Sequence, residues 1–335
     1  MHSYSQQVRV GVAGATGYAG QELMAILAKH PHLDLRLAMS SGEQSAKRSL
    51  PRLARVWDGQ LEPLDKAKLS RDVDVVFLAV PEPAAADLGP TLVDAGVRVI
   101  DLSGAFRIRN AGERARWYPA TTSMPAGAAY GLVEHYRHDV RGAALVACPG
   151  CYPTAALLSL LPLSKSGLLD TAAGIVIDAK SGISGAGRTP NERTHFSENH
   201  GSVSAYGIFS HRHVAEMAQE LSTDVTFVPH LVPLDRGILE TIYARVAPGV
   251  TAERVADALE SAYGHEPFVR LTGDALPEIK HVTHTNFCDI GWRLDPVSRR
   301  LVIVSCLDNL VKGAAGQAVQ NFNVACGFDE RTALL

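Results

Sequence analysis

Most constraining for the fold is the run Gly11-Val-Ala-Gly14-Ala-Thr-Gly17-Tyr-Ala-Gly20, set between a β-branched stretch and one with helical spacing. Glycines every third residue predict a tight strand-to-helix turn. Its backbone would approach a pyrophosphate closely and seat it on the N-terminus of the following helix. The spacing is GxxGxxG rather than GxGxxG, so the flanking strand and helix carry as much of the argument as the glycines do. A strand is expected over 8–13 and a helix over 21–29, with Leu23, Ile26 and Leu27 on one face.

Further apolar strands are expected at 33–39, 74–80, 97–102 and 145–147. Continuous apolar strands alternating with helices indicate a parallel sheet covered on both faces, an α/β domain of the doubly wound kind. The texture changes after residue 150. A helix is expected over 152–161, strands at 174–180, 225–232, 238–247, 286–294 and 299–307, and a helix over 252–263 capped by Thr251. A mixed, largely antiparallel sheet in an α+β domain fits this half. The expected division is a dinucleotide-binding domain over 1–150, rejoined by a C-terminal helical segment over 309–335, and a catalytic and oligomerisation domain over 151–308.

At 335 residues, with 46% apolar positions and a net charge of −3, the chain can bury two cores and lacks the basic stripe that nucleic acid requires. Its N-terminus has neither the basic nor the apolar region of a signal peptide, and its apolar runs are about half the ~20 residues a membrane-spanning helix needs. A soluble cytoplasmic protein with no nucleic-acid, membrane or metal partner is expected. Five cysteines, Cys148, Cys151, Cys288, Cys306 and Cys326, are too few and too odd for a disulfide scaffold.

Candidate cofactor contacts are Gly11, Gly14, Ala15, Thr16, Gly17 and Tyr18 in the glycine turn. The second strand ends in Ser40 and Ser41, with Lys47 and Arg48 beyond, where an NAD enzyme would place an acidic residue. Hydroxyls and cations suit a 2′-phosphate, so NADP(H) is the expected cofactor.

Cys148-Pro-Gly-Cys151-Tyr-Pro-Thr places Cys151 at a helix start, where the positive dipole end and exposed N–H groups favour thiolate. Such a sulfur can attack an acyl carbon and form a thioester. A redox pair or half a zinc site are the competing readings of CxxC, and no second CxxC accompanies it. Imidazoles come from His211-Arg-His213, with His211 taken as the acid/base and His213 close behind. Arg107, after the fourth of these strands, and Ser184 and Arg188, in the loop Gly-Ile-Ser-Gly-Ala-Gly-Arg, are candidate anchors for carboxylate or phosphate. Together these residues point to a nicotinamide-dependent aldehyde dehydrogenase working through a cysteine thioester.

The motifs GATGYAGQEL (14–23), PGCYPTA (149–155), DAKSGISGAGR (178–188), HRH (211–213), VPHLVPLDRGIL (228–239) and DNLVKGAAGQAVQN (308–321) occur in that order. On them the chain resembles the N-acetyl-γ-glutamyl-phosphate reductases, relatives of aspartate-semialdehyde dehydrogenase, over nearly its whole length. The resemblance implies NADPH-dependent reduction of N-acetylglutamyl 5-phosphate to the 5-semialdehyde in arginine biosynthesis, with Cys151 as nucleophile. It also implies Asn309, Gly313 and Gln317 on the nicotinamide side, His213 near the substrate, and a homodimer or homotetramer. A carrier-bound glutamyl or aminoadipyl phosphate, or a non-catalytic NADP sensor, are the alternatives. The chain departs from the family pattern at Cys148, where asparagine is usual, and at Ala105, where aspartate is. The neighbouring thiols also raise the expectation that oxidation would join Cys148 to Cys151.

Overall fold

The computed structural model describes residues 7–40 and 49–335. The chain divides into two compact units, 1–149 with 314–335, and 150–313.

In the first unit the elements are β1 (Val8–Ala13), α1 (Tyr18–Leu27), β2 (Leu33–Ser40), β3 (Leu61–Pro63), α2 (Lys66–Asp72), β4 (Val75–Leu78), α3 (Glu82–Asp94), β5 (Arg98–Asp101), α4 (Ala111–Trp117), β6 (Ala128–Tyr130), α5 (Val133–Val140) and β7 (Leu145–Ala147). The strands form one parallel sheet in the order β3-β2-β1-β4-β5-β7-β6. Every residue of β4 is buried, as a central strand of a two-sided sheet requires. One core face gathers Val8, Val10, Val12 and Phe77 against α1 and the C-terminal helix, and the other gathers Ala13, Val76 and Leu78 against α2 and α3. Because β1 has β2 on one side and β4 on the other, the chain reverses direction across the sheet at the carboxyl end of β1. Such a switch point opens a crevice for ligands, and the glycine turn stands there. The helix expected over 21–29 begins earlier, at Tyr18, because Gly17 with ψ 167 is its N-cap.

The second unit contains α6 (Cys151–Lys165), β8 (Val176–Gly182), α7 (Phe196–Asn199), β9 (Ser204–Ala205), α8 (His213–Leu221), β10 (Thr226–Val232), β11 (Ile238–Arg245), α9 (Ala252–Tyr263), β12 (Val269–Leu271), β13 (Cys288–Asp295) and β14 (Arg300–Leu307). The sheet order is β12-β13-β14-β11-β8-β10-β9, with β12/β13 and β8/β10 parallel and the remaining pairs antiparallel. Helix α6 is buried from Tyr152 through Leu163 and packs on β11 and β14. Strand β8 starts two residues later than expected, because Gly174 has φ +79 and cannot extend the ladder, and it runs on to Gly182. A Cβ at Gly182 would stand 2.7 Å from the Arg236 backbone, so glycine is required for the crossing.

The helical segment expected within 309–335 is two pieces. A π-helical turn, Val311–Ala315, precedes α10 (Gly316–Cys326), and the segment rejoins the first unit from Ala314. The wider turn lets Gly313 come up against Cys151, where a Cβ would stand 2.7 Å from that of the cysteine. No helix among the described residues is long and apolar enough to cross a membrane.

Candidate active site

At the switch point of the first unit, Gly14 has φ +92 and a Cβ there would collide with the Ala79 carbonyl oxygen. Gly20 likewise leaves room for the Gly14 carbonyl, letting α1 close onto the turn. The N–H groups of Gly14 and Ala15 donate to the Met39 carbonyl at 2.8 and 3.0 Å, which welds the turn to the end of β2. A Cβ at Gly17 would meet nothing nearer than the Gly14 oxygen at 3.7 Å, so space remains over the first turn of α1. That turn carries no acidic residue and no side-chain cap, and Tyr18 is half-exposed on it. The Thr16 and Ser40 hydroxyls lie 3.2 Å apart beside it. Gly11 has a different place: it lies inside β1, where a Cβ would press on Leu69 of α2 at 3.0 Å. It is a packing glycine, not part of the anion cradle. Ser41, Lys47 and Arg48 lie outside the described residues.

Arg107, in the same unit, is buried and donates from Nε to the Cys148 carbonyl at 2.7 Å and from a terminal nitrogen to the Leu102 carbonyl at 2.9 Å. These bonds tie the loop after β5 to the end of β7. Burial pushes the nearby Asp101 up to about 6, against the opposing pull of the Ser103 N–H and hydroxyl and of Arg107. Gln317 and Asn321 on α10 both donate to the Gly131 carbonyl, at 2.8 and 2.7 Å, and Asn321 also donates to the Cys148 sulfur at 3.6 Å. Burial pushes the Cys148 thiol up. It is a packed, protonated group.

In the second unit Cys151 is the first residue of a 15-residue helix whose N-cap is Gly150. All five cysteines are free, and Cys151 alone is not fully buried. The Gly150 N–H donates to Glu216 at 2.8 Å, and a Cβ at Gly150 would collide with Nε2 of His213. His213 and Glu216 are three apart on α8 and therefore share a face. That face is what places an imidazole against the residue preceding the nucleophile.

His211 occupies a different niche, ringed by Tyr152, Tyr206 and Phe227 at 5.3–5.8 Å between centroids. Burial first, then Arg212, lowers its pKa to about 4. Its Nδ1 accepts the His213 N–H at 3.2 Å, which leaves a neutral ring with the proton on Nε2. The Tyr152 and Tyr206 hydroxyls are 3.2 Å apart. Burial pushes both phenols up, Tyr206 to about 12, with a smaller push from Cys151 on each. The sulfur therefore lies within electrostatic reach of both.

An open cavity of about 500 Å³ adjoins this cluster, its wall including Gly185, Arg193, Tyr206, His211 and Leu231. The loop bearing Ser184 is held by Asn309, whose amide nitrogen donates to the Ser184 hydroxyl at 2.9 Å while its oxygen accepts the Gly237 N–H at 2.7 Å. Asn309 is thus committed at both ends inside the second unit. Arg188 is exposed, four residues beyond Ser184. Glu216 is absent from the sequence expectations, and its signal was an acid three residues after His213 on a helical stretch. Arg193 and Tyr206 carry no local signal, because tertiary folding alone brings them to the cavity.

Residues 9–143 match the family described as semialdehyde dehydrogenase, NAD binding domain, and residues 151–309 match semialdehyde dehydrogenase, dimerisation domain. The chain is 45% identical to N-acetyl-gamma-glutamyl-phosphate reductase of Desulforapulum autotrophicum, covering 98% of each chain. It is 44% identical to the protein of that name from Brevibacillus brevis and 42% to that from Bacillus subtilis, again over 98% of each. Aspartate semialdehyde dehydrogenase II from Vibrio cholerae superposes with a TM-score of 0.75 at 19% identity, over 95% of this chain and 98% of that one. The Candida albicans aspartate semialdehyde dehydrogenase solved with NADP gives 0.71 at 17%, over 95% and 98%. At these identities the two structures establish the fold. The relatives, matched end to end, establish more: this chain belongs to the N-acetyl-γ-glutamyl-phosphate reductase family.

Proposed function

We propose that the chain reduces N-acetyl-L-glutamyl 5-phosphate to N-acetyl-L-glutamate 5-semialdehyde at the expense of NADPH, the reductive step of arginine biosynthesis. The observation that carries this reading is Cys151, the one cysteine of five that is not fully buried, at the head of α6 with His213 against its neighbour Gly150.

The glycine turn fits a dinucleotide, since space is left over Gly17 and the start of α1 is without an acid. Thr16, Gly17, Tyr18 and Ser40 would hold it, and the hydroxyl pair suits the 2′-phosphate of NADP better than a carboxylate would. NADPH, when bound, supplies the hydride that takes the acyl group to the aldehyde level.

The chain's own groups account for the rest. His213 takes the thiol proton, and the Cys151 sulfur attacks the acyl carbon. The carbon–oxygen bond to phosphate breaks, phosphate leaves, and a thioester remains on Cys151. After reduction the carbon–sulfur bond breaks, His213 returns its proton to the departing sulfur and the semialdehyde leaves, while the released phosphate takes up a proton from solvent. One proton is consumed overall. His211, half-buried and neutral, was expected from the sequence to be the acid/base; in this reading it instead offers its Nε2 proton to the developing oxyanion. Glu216 fixes Gly150, and Asn309 fixes the Ser184 loop, as positioning residues. Arg107 shapes the loop after β5, and Gln317 anchors α10 to Gly131.

The match to a dimerisation domain supports self-association through the second unit. Val176 and Tyr243, register partners on β8 and β11, are 37% and 46% exposed on its sheet.

The test is phosphate-dependent NADP reduction with N-acetylglutamate 5-semialdehyde. The wild type should show it and Cys151→Ser should abolish it; turnover that survives the substitution would refute the reading.

A further inference from the structure

The cavity beside His211 has one feature the reaction at sulfur does not use. The turn 191–194 lines it with Asn191, Glu192 and Arg193, placing an acid and a base side by side. The turn is stiffened by a capping box: Thr194 N–H donates to the Asn191 side-chain oxygen, and the Asn191 N–H to the Thr194 hydroxyl, both at 3.2 Å. The Arg193 guanidinium stands 6.0 Å from the centre of the Tyr206 ring, and the Tyr206 hydroxyl meets that of Tyr152, which follows Cys151 in the chain. Arg193, exposed at the cavity rim, is thus linked through two tyrosines to the residue next to the nucleophile. Among the described residues lining the cavity, Arg193 is the one cation.

We propose that Arg193 is the specificity residue that pairs with the α-carboxylate of the substrate, while the adjacent Glu192 accepts the amide N–H. The inference rests on the proposed function and deepens it. An N-acyl amino acid bears, on one carbon, an anionic carboxylate and a neutral N–H donor. A base and an acid on consecutive residues complement those two groups, whereas a bare phosphate would be repelled by Glu192. An arginine fork is also the side chain suited to a carboxylate.

Steady-state kinetics of NADP reduction test this with two aldehydes, N-acetylglutamate 5-semialdehyde and 4-acetamidobutanal, which lacks only the α-carboxylate. For the wild type the KM of the truncated aldehyde should be higher by about tenfold, the cost of one charge-assisted contact of about 1.4 kcal/mol. Arg193→Gln should raise the KM for the carboxylated aldehyde by a similar factor, leave the truncated one unchanged, and leave kcat and the KM for phosphate near wild type. Arg193→Lys should restore part of the loss, which a merely structural role would not produce.

An Arg193→Gln enzyme with unaltered KM for both aldehydes overturns the assignment, as does a rise confined to the KM for phosphate. A wild type silent with both aldehydes overturns the proposed function itself, and the two failures are thereby distinguished.

Discussion

At the residue scale, the two histidines of the HRH motif sit in different environments. His211 is half-buried and neutral, with a pKa near 4 against the usual 6.5. A base whose folded value is lowered is stabilising above the unfolded value, and that contribution is lost as pH falls toward the folded value. The window is therefore about 6.5 down to about 4, and the contribution is on the order of 3 kcal/mol. Thermal melts of wild type and His211→Gln should converge as pH falls through this range; parallel curves would contradict it. Glu240 provides the opposite sign. Fully buried on β11, it is held well above the usual carboxylate range by burial. Its contribution is present at low pH and lost as pH rises through that raised value. Glu240→Gln should thus raise the melting temperature at pH 9, by roughly 2–4 °C for each 1 kcal/mol recovered. Glycines make the same point sterically. Gly150→Ala would drive a methyl into the His213 ring, and Gly313→Ala would press one against Cys151 at 2.7 Å. Each should cost about 1–3 kcal/mol of stability and most of the activity, measured by melting and turnover together.

At the element scale, the start of α6 and the turn before α1 were readable because each couples a local pattern to a backbone requirement. Glycines at 14 and 20 specify a turn that only glycine permits, and a cysteine after Pro-Gly specifies a helix start. The break in the C-terminal helix was not readable, since Val311-Lys-Gly-Ala-Ala315 carries no proline, and the close approach of Gly313 to Cys151 that goes with the wider turn is a tertiary contact. Asn309 was named on the resemblance alone, as a nicotinamide-side residue, and its bonds to Ser184 and Gly237 were not readable. Its partners Ser184 and Gly237 are 125 and 72 positions away, and sequence spacing carries no trace of them. Asn309→Ala leaves both without that bond, so a loss of about 1–3 kcal/mol is expected, with greater proteolytic nicking of the 183–195 loop. Nicking equal to wild type would contradict the tie. Arg193 was invisible for the same reason: an exposed arginine in a turn acquires meaning only when residues 185–211 fold back around a cavity.

At the scale of the whole molecule, the chain separates its tasks. The first unit offers a parallel sheet with a glycine turn at its switch point, and the second a mixed sheet that carries the sulfur, the histidines and the cavity beside His211. Alternating apolar strands made the first legible. The mixed sheet of the second was legible in class, while its β8/β10 and β12/β13 parallel pairs depend on crossovers that strand patterns do not encode. Burial also partitions reactivity across the molecule: Cys148, Cys288, Cys306 and Cys326 are enclosed, and burial pushes up the thiols of Cys148, Cys306 and Cys326. The most direct measurement is peptide mass spectrometry of the enzyme quenched in acid after exposure to N-acetylglutamyl 5-phosphate without NADPH. A single N-acetylglutamyl adduct is expected, on the peptide beginning the α6 helix at Cys151, with phosphate released in equal amount. Phosphate release with no adduct on Cys151, or an adduct on any other cysteine, would contradict it.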